Sequence, residues 1–65
     1  MDLTVISTPN APGAIGPYSQ GYTCGDLVIT SGQIPVGPAT GAIPSGIAAQ
    51  AGQSCKNVGA ILAAA

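Results

Sequence analysis

The chain opens on a short apolar run. LTVIS, Leu3 to Ser7, carries β-branched residues at Thr4, Val5 and Ile6 and predicts a first strand. Thr8 to Pro17 then places three prolines and two glycines in ten residues, which excludes helix and regular ladder and predicts a fixed loop. In Tyr18–Cys24 the pattern alternates, with Tyr18, Gln20 and Tyr22 on one face and Ser19, Gly21 and Thr23 on the other. Gly25-Asp26 separates this run from Leu27–Ile34. A two-residue Gly-Asp link between strand-like runs predicts an antiparallel hairpin, because glycine adopts the positive φ that such turns need.

Pro35 to Pro44 is a second turn-rich connection, after which the period changes. Ser45 is the expected N-cap of a helix. Its apolar stripe is expected at Ile47, Val58, Ile61 and Leu62, with Ala51, Ser54 and Cys55 between them and Gln50, Gln53, Lys56 and Asn57 facing away. Gly52 and Gly59 each cost about 1 kcal/mol relative to alanine, so packing on a sheet has to hold the helix. The expected fold is therefore α+β, three strands followed by one helix packed on the sheet. No repeat or linker divides it.

One stretch does not fit a strand that merely fills a core. LVITSGQIP, Leu27 to Pro35, starts as a buried strand and turns small and polar at Thr30, Ser31, Gly32 and Gln33. Glycine inside a strand marks either a bulge or a place where something approaches the backbone closely.

Composition narrows the function classes. At 65 residues the chain is one small domain at most, and a domain of that size buries only roughly 60% of the surface its unfolded chain exposes. Charged residues make up 5% of the chain, with one lysine, two acids and no arginine. Ordinary domains carry about 25%, and so bare a surface favours association. It is also a poor surface for nucleic acid, whose phosphates need clustered Lys and Arg. The most apolar stretch, Ile47 to Ala65, is interrupted by Gln50, Gln53, Lys56 and Asn57 and does not read as a membrane span. Without histidine, Cys24 and Cys55 do not form a zinc pattern. The N-terminus has no basic start and no apolar core segment, so the expectation is a cytoplasmic protein with reduced thiols serving as small core fillers. A Cys24–Cys55 disulfide is the alternative.

Three blocks now stand out: NAPGAIGPYSQG (Asn10 to Gly21), ITSGQIPVGPATG (Ile29 to Gly41) and AAQAGQSCKNVGAIL (Ala48 to Leu62). In this order, without a gap, they resemble the RidA/YjgF family of reactive intermediate imine deaminases, also described as L-PSP endoribonucleases or translation inhibitors. The resemblance implies a chorismate mutase-like fold, of which residues 1–65 would form the N-terminal half of a single domain, and a homotrimer with ligand sites between subunits. It implies hydrolysis of 2-aminoacrylate, 2-iminopropanoate and 2-iminobutanoate to 2-oxo acids and ammonia, with no cofactor. By the same resemblance Tyr18, Ser31 and Gly32 line the substrate cleft, where a glycine lets a planar carboxylate come close. Tyr22 matches nothing in the family's site and is expected to pack. Gln33 is expected to satisfy backbone or inter-subunit bonds, Lys56 to be solvated and Asp26 to serve the turn.

The chemistry makes two further demands. A 2-imino acid's carboxylate is held best by the two-pronged fork of an arginine, and water needs a positioned acid–base group, typically a carboxylate. In the family both come from the C-terminal half, as an arginine and a glutamate; this sequence contains neither. No complete catalytic set is expected here. The alternatives to an imine deaminase are a non-catalytic oligomeric fragment that binds small carboxylates, and the older endoribonuclease reading, which the sparse positive charge argues against.

Overall fold

The computed structural model describes residues 3–16 and 18–65. Three strands are formed, β1 (Leu3–Ile6), β2 (Gly21–Cys24) and β3 (Leu27–Thr30), followed by one helix, α1 (Ile47–Ala64). They make an antiparallel sheet in the order β1-β2-β3. Leu3 pairs with Cys24 and Ile6 with Gly21 across the first ladder; Gly21 pairs with Thr30 and Cys24 with Leu27 across the second. The link is therefore Gly25-Asp26, as expected, with φ of 59° at Gly25 and no positive φ at Asp26, the pattern of a type II′ turn.

Both hairpin strands are shorter than the alternation suggests. Tyr18, Ser19 and Gln20 precede β2, and Ser31 to Ile34 follow β3 outside the ladder. This places the Ser-Gly-Gln segment in a loop at the open end of the hairpin.

The period of two puts Ile6, Gly21, Val28 and Thr30 on one face of the sheet and Leu3, Val5, Tyr22, Cys24, Leu27 and Ile29 on the other. The helix lies on the first face, against β3. There Ile61, which is fully buried, meets Ile6 and the bare Cα of Gly21. Among the described residues the buried apolar side chains are Ile6, Ala11 and Ile61. On the opposite face Leu3, Val5, Leu27 and Ile29 are all more than half exposed, at 64%, 56%, 63% and 55%. That is a continuous apolar surface of the kind that marks an interaction site.

Two expectations for the helix are corrected. The N-cap is Gly46, not Ser45; it adopts φ 90° and ψ 146°, and no side chain caps the helix. That backbone conformation is almost confined to glycine, and the Gln50 side chain instead reaches back to donate to the Pro44 carbonyl at 3.1 Å. Replacing Gly46 by alanine should therefore cost about 1–2 kcal/mol in a urea titration, whereas Ser45→Ala should leave the midpoint unchanged.

The buried face is also rotated from the expected stripe. Asn57 is 1% exposed, whereas Ile47 is 82% and Leu62 49% exposed. Gln50 and Gln53 are half-buried, Gln53 donating to Asn57, and Cys55 is exposed rather than a core filler. The reason is polar. The connection after β3 turns carbonyl groups toward the helix, and amide side chains satisfy them where an apolar stripe cannot. Ser54, Cys55, Val58, Gly59 and Leu62 are left lining a shallow open groove.

Candidate functional site

The site begins where the hairpin ladder ends. The Ser31 backbone N–H donates to the Gln20 carbonyl at 2.9 Å. The Ser31 hydroxyl lies 3.0 Å from the Ser19 carbonyl and 2.9 Å from that of Gln20, so its proton points into the chain. This fastening brings Gly32 beside Tyr18, although they lie on different limbs of the hairpin. Together with Pro12, Ile15, Ile34 and Val36 they line a cavity of about 100 Å³. That is well above the ~10–15 Å³ that admits one water and below the ~300 Å³ at which drug-sized sites begin. The space suits a small ligand.

Tyr18 is half exposed, and its ring lies over Gly16, where an added Cβ would come within 3.4 Å of Tyr18 Cδ2. Its hydroxyl is thus carried on a supported ring at the cavity wall. Gly32 is informative for a different reason. It lies beyond the last ladder residue, its φ is not positive, and an added Cβ would meet nothing within 4 Å. Neither a bulge, a turn nor packing against the described residues asks for glycine there.

Apart from Gln33 the rest of the lining is apolar, and no charged side chain belongs to it. Gln33 donates weakly to the carbonyls of Ser31 and Gly32, at 3.4 and 3.3 Å, and so serves its own loop. Tyr22 points away, with its hydroxyl donating to Ser19 Oγ at 3.3 Å. Asp26 sits in the exposed turn and Lys56 is exposed on the helix. Cys24 and Cys55 are not cross-linked. Among the described residues no three potential metal ligands cluster. The structure thus brings Tyr18 and Gly32 together at one cavity, with Ser31 behind them as the fastening.

Two residues around the site were not singled out by the sequence pattern. Gln20 is 5% exposed. Its Oε1 accepts from the Thr8 N–H at 2.7 Å, and its Nε2 faces the carbonyls of Thr8, Ala11 and Pro12 at 3.1, 3.3 and 2.8 Å. Asn57 donates through Nδ2 to the carbonyls of Ile34 and Val36, at 3.1 and 3.0 Å, and accepts at Oδ1 from Gln53 at 2.9 Å. The usable signal was the neighbourhood: an amide residue facing proline-rich loops whose carbonyls lack ladder partners.

The sequence profile of the family described as Endoribonuclease L-PSP matches residues 8–65. The 2-iminobutanoate/2-iminopropanoate deaminase of Escherichia coli K12 is 62% identical over 60 residues, covering 92% of this chain and 47% of that protein. Among solved structures, the YjgF gene product of E. coli superposes with a TM-score of 0.92 at 59% identity, over 94% of this chain and 48% of the other. E. coli TdcF with bound serine does so with a TM-score of 0.92 at 56% identity, over 94% and 48%. The chain spans about half the length of the relatives it matches.

Proposed function

For a chain that belongs to the RidA/YjgF family, the family of Endoribonuclease L-PSP, we propose the function of a hydrolytic imine deaminase. Its substrates are 2-aminoacrylate, 2-iminopropanoate and 2-iminobutanoate. 2-Aminoacrylate first tautomerises to 2-iminopropanoate by moving a proton from nitrogen to carbon. Water then adds to the imine carbon, the C–N bond breaks, and a 2-oxo acid and ammonia leave. No cofactor takes part. The single observation that carries this reading is the cavity where Tyr18 and Gly32 meet: small, uncharged, and lined by a glycine that the fold itself does not require. The identity to the E. coli deaminase supplies the substrate class.

Residues 1–65 are the N-terminal half of one domain in this proposal and provide one wall of the cleft. Gly32 gives a substrate carboxylate access to the backbone, and Tyr18 offers its hydroxyl. Ser31 forms the wall by fixing the loop, since its own proton is directed to the Ser19 and Gln20 carbonyls. The arginine and the acid–base carboxylate that the reaction needs come from the other half, because this segment contains no Arg and no Glu. A homotrimer completes the site at subunit boundaries. The uncovered apolar sheet face at Leu3, Val5, Leu27 and Ile29 supports association.

The experiment uses a hybrid chain, this segment followed by the C-terminal half of the E. coli deaminase, and follows 2-oxo acid formation in a dehydratase-coupled assay. Gly32→Ala should reduce kcat/KM by about tenfold or more, as expected for blocking a hydrogen bond to a charged group worth ~1.5–3 kcal/mol. Its unfolding midpoint should stay within the ±0.5 kcal/mol typical of neutral surface positions. Tyr18→Phe should also lower turnover. Full activity in both variants would refute this wall, and turnover of RNA in place of imines would favour the endoribonuclease reading. In sedimentation the hybrid should run as a trimer, and Val5→Lys with Ile29→Lys should dissociate it.

A further inference from the structure

The two buried amides, Gln20 and Asn57, each hold a segment that lines the same cavity. Gln20 secures the loop that supplies Pro12 and Ile15, through three carbonyls and one N–H. Asn57 secures the turn that supplies Ile34 and Val36, using both protons of its Nδ2. That turn cannot hold itself from within. Its central residue is Pro35, which has no N–H, and apart from the short Val36 N–H to Ile34 bond at 2.8 Å its carbonyls face the helix. Neither amide is spared for a ligand: Asn57 is saturated at Nδ2 and accepts from Gln53 at Oδ1. Neither contributes apolar packing comparable to Ile61. Both connect regular elements, the residue leading into β2 and the middle of α1, to loops that have no ladder of their own.

We propose that Gln20 and Asn57 are positioning residues that set the width of the cleft, and so govern which alkyl chain a 2-imino acid carries into it. The inference rests on the imine deaminase reading. The apolar lining they hold, Pro12 and Ile15 from one segment and Ile34 and Val36 from the other, is the surface a substrate's alkyl group meets once its carboxylate is at Gly32. Loosening either wall widens the space and relaxes exclusion of the longer chain. Selectivity between substrates differing by one methylene is set by such fit, over a range of roughly 10–200-fold.

The test compares kcat/KM for 2-iminobutanoate with kcat/KM for 2-iminopropanoate in the hybrid chain. This ratio is independent of the fraction of folded enzyme, which scales both substrates alike. Gln20→Met and Asn57→Leu keep side-chain bulk and remove the hydrogen bonds. Each should raise the ratio at least threefold in favour of 2-iminobutanoate. Gln20→Asn, which retains an amide one methylene short, should shift it less and provides a milder variant if the others yield little folded protein. Ile61→Val, a core change away from the cavity, should lower the unfolding temperature and leave the ratio alone. An unmoved ratio in all three amide variants, with the unsubstituted hybrid active, would overturn the positioning role and leave the deaminase reading standing. A hybrid that deaminates neither acid would remove both.

Discussion

Made alone, residues 1–65 should release no ammonia from 2-aminoacrylate or 2-iminobutanoate above the spontaneous rate. The segment has no arginine and no glutamate, and self-association repeats the deficit in every copy. Its acids are Asp2, which lies outside the described residues, and Asp26, in an exposed turn away from the cavity. Loss of the arginine fork removes two charge-assisted hydrogen bonds of roughly 1.5–3 kcal/mol each. The absence of a positioned acid–base group removes a further ~10²–10⁴-fold. Backbone donors at Gly32 cannot offset losses of that size. Joining the C-terminal half of the E. coli deaminase should restore turnover. Clear catalysis by the 65-residue chain would mean that the chemistry resides in residues assigned here to binding.

Gly21→Val in the hybrid chain should be the most damaging single substitution for stability. Gly21 opens the central strand of the sheet, paired with Ile6 on one side and Thr30 on the other. A Cβ there would come within 2.8 Å of the Ile29 carbonyl oxygen, 3.1 Å of Ile61 Cγ2 and 3.4 Å of Ile6 Cδ1. The first of these is backbone and cannot rotate away. The other two belong to the small buried core, so the helix must lift from the sheet to admit a side chain. Overpacking of this kind costs about 3 kcal/mol, the upper end of its usual range. Urea unfolding should show that loss, against a near-zero change for Gly32→Ala. Equal midpoints for Gly21→Val and wild type would contradict the packing of Ile61 onto this glycine.

The contrast between these two glycines shows what the pattern of residues could and could not disclose. The Gly25-Asp26 turn, the three strands and the helix after Pro44 were legible, because each depends on local chemistry: positive φ, β-branched runs and helical spacing. Gly32 was legible as an anomaly within an apolar strand. The buried face of the helix was not. Hydrophobic spacing placed Asn57 in solvent, yet it is buried because the carbonyls of Ile34 and Val36 need donors from outside their own turn. The same holds for Gln20, whose partners lie in a loop 8 to 12 residues away in sequence. Such satisfaction of backbone groups at a distance leaves no periodicity to find. Ser31 was expected to line the cleft; the structure adds that its hydroxyl fastens the two limbs of the hairpin.

The central claim is that a 2-imino acid seats its carboxylate at Gly32, beside Tyr18. A crystal structure of the hybrid chain with 2-oxobutanoate, the product of 2-iminobutanoate hydrolysis, tests it most directly. The predicted result is a ligand carboxylate within about 3 Å of the Gly32 N–H or the Tyr18 hydroxyl, with its ethyl group between Ile15 and Ile34. A ligand bound elsewhere, with Tyr18 and Gly32 untouched, would contradict it.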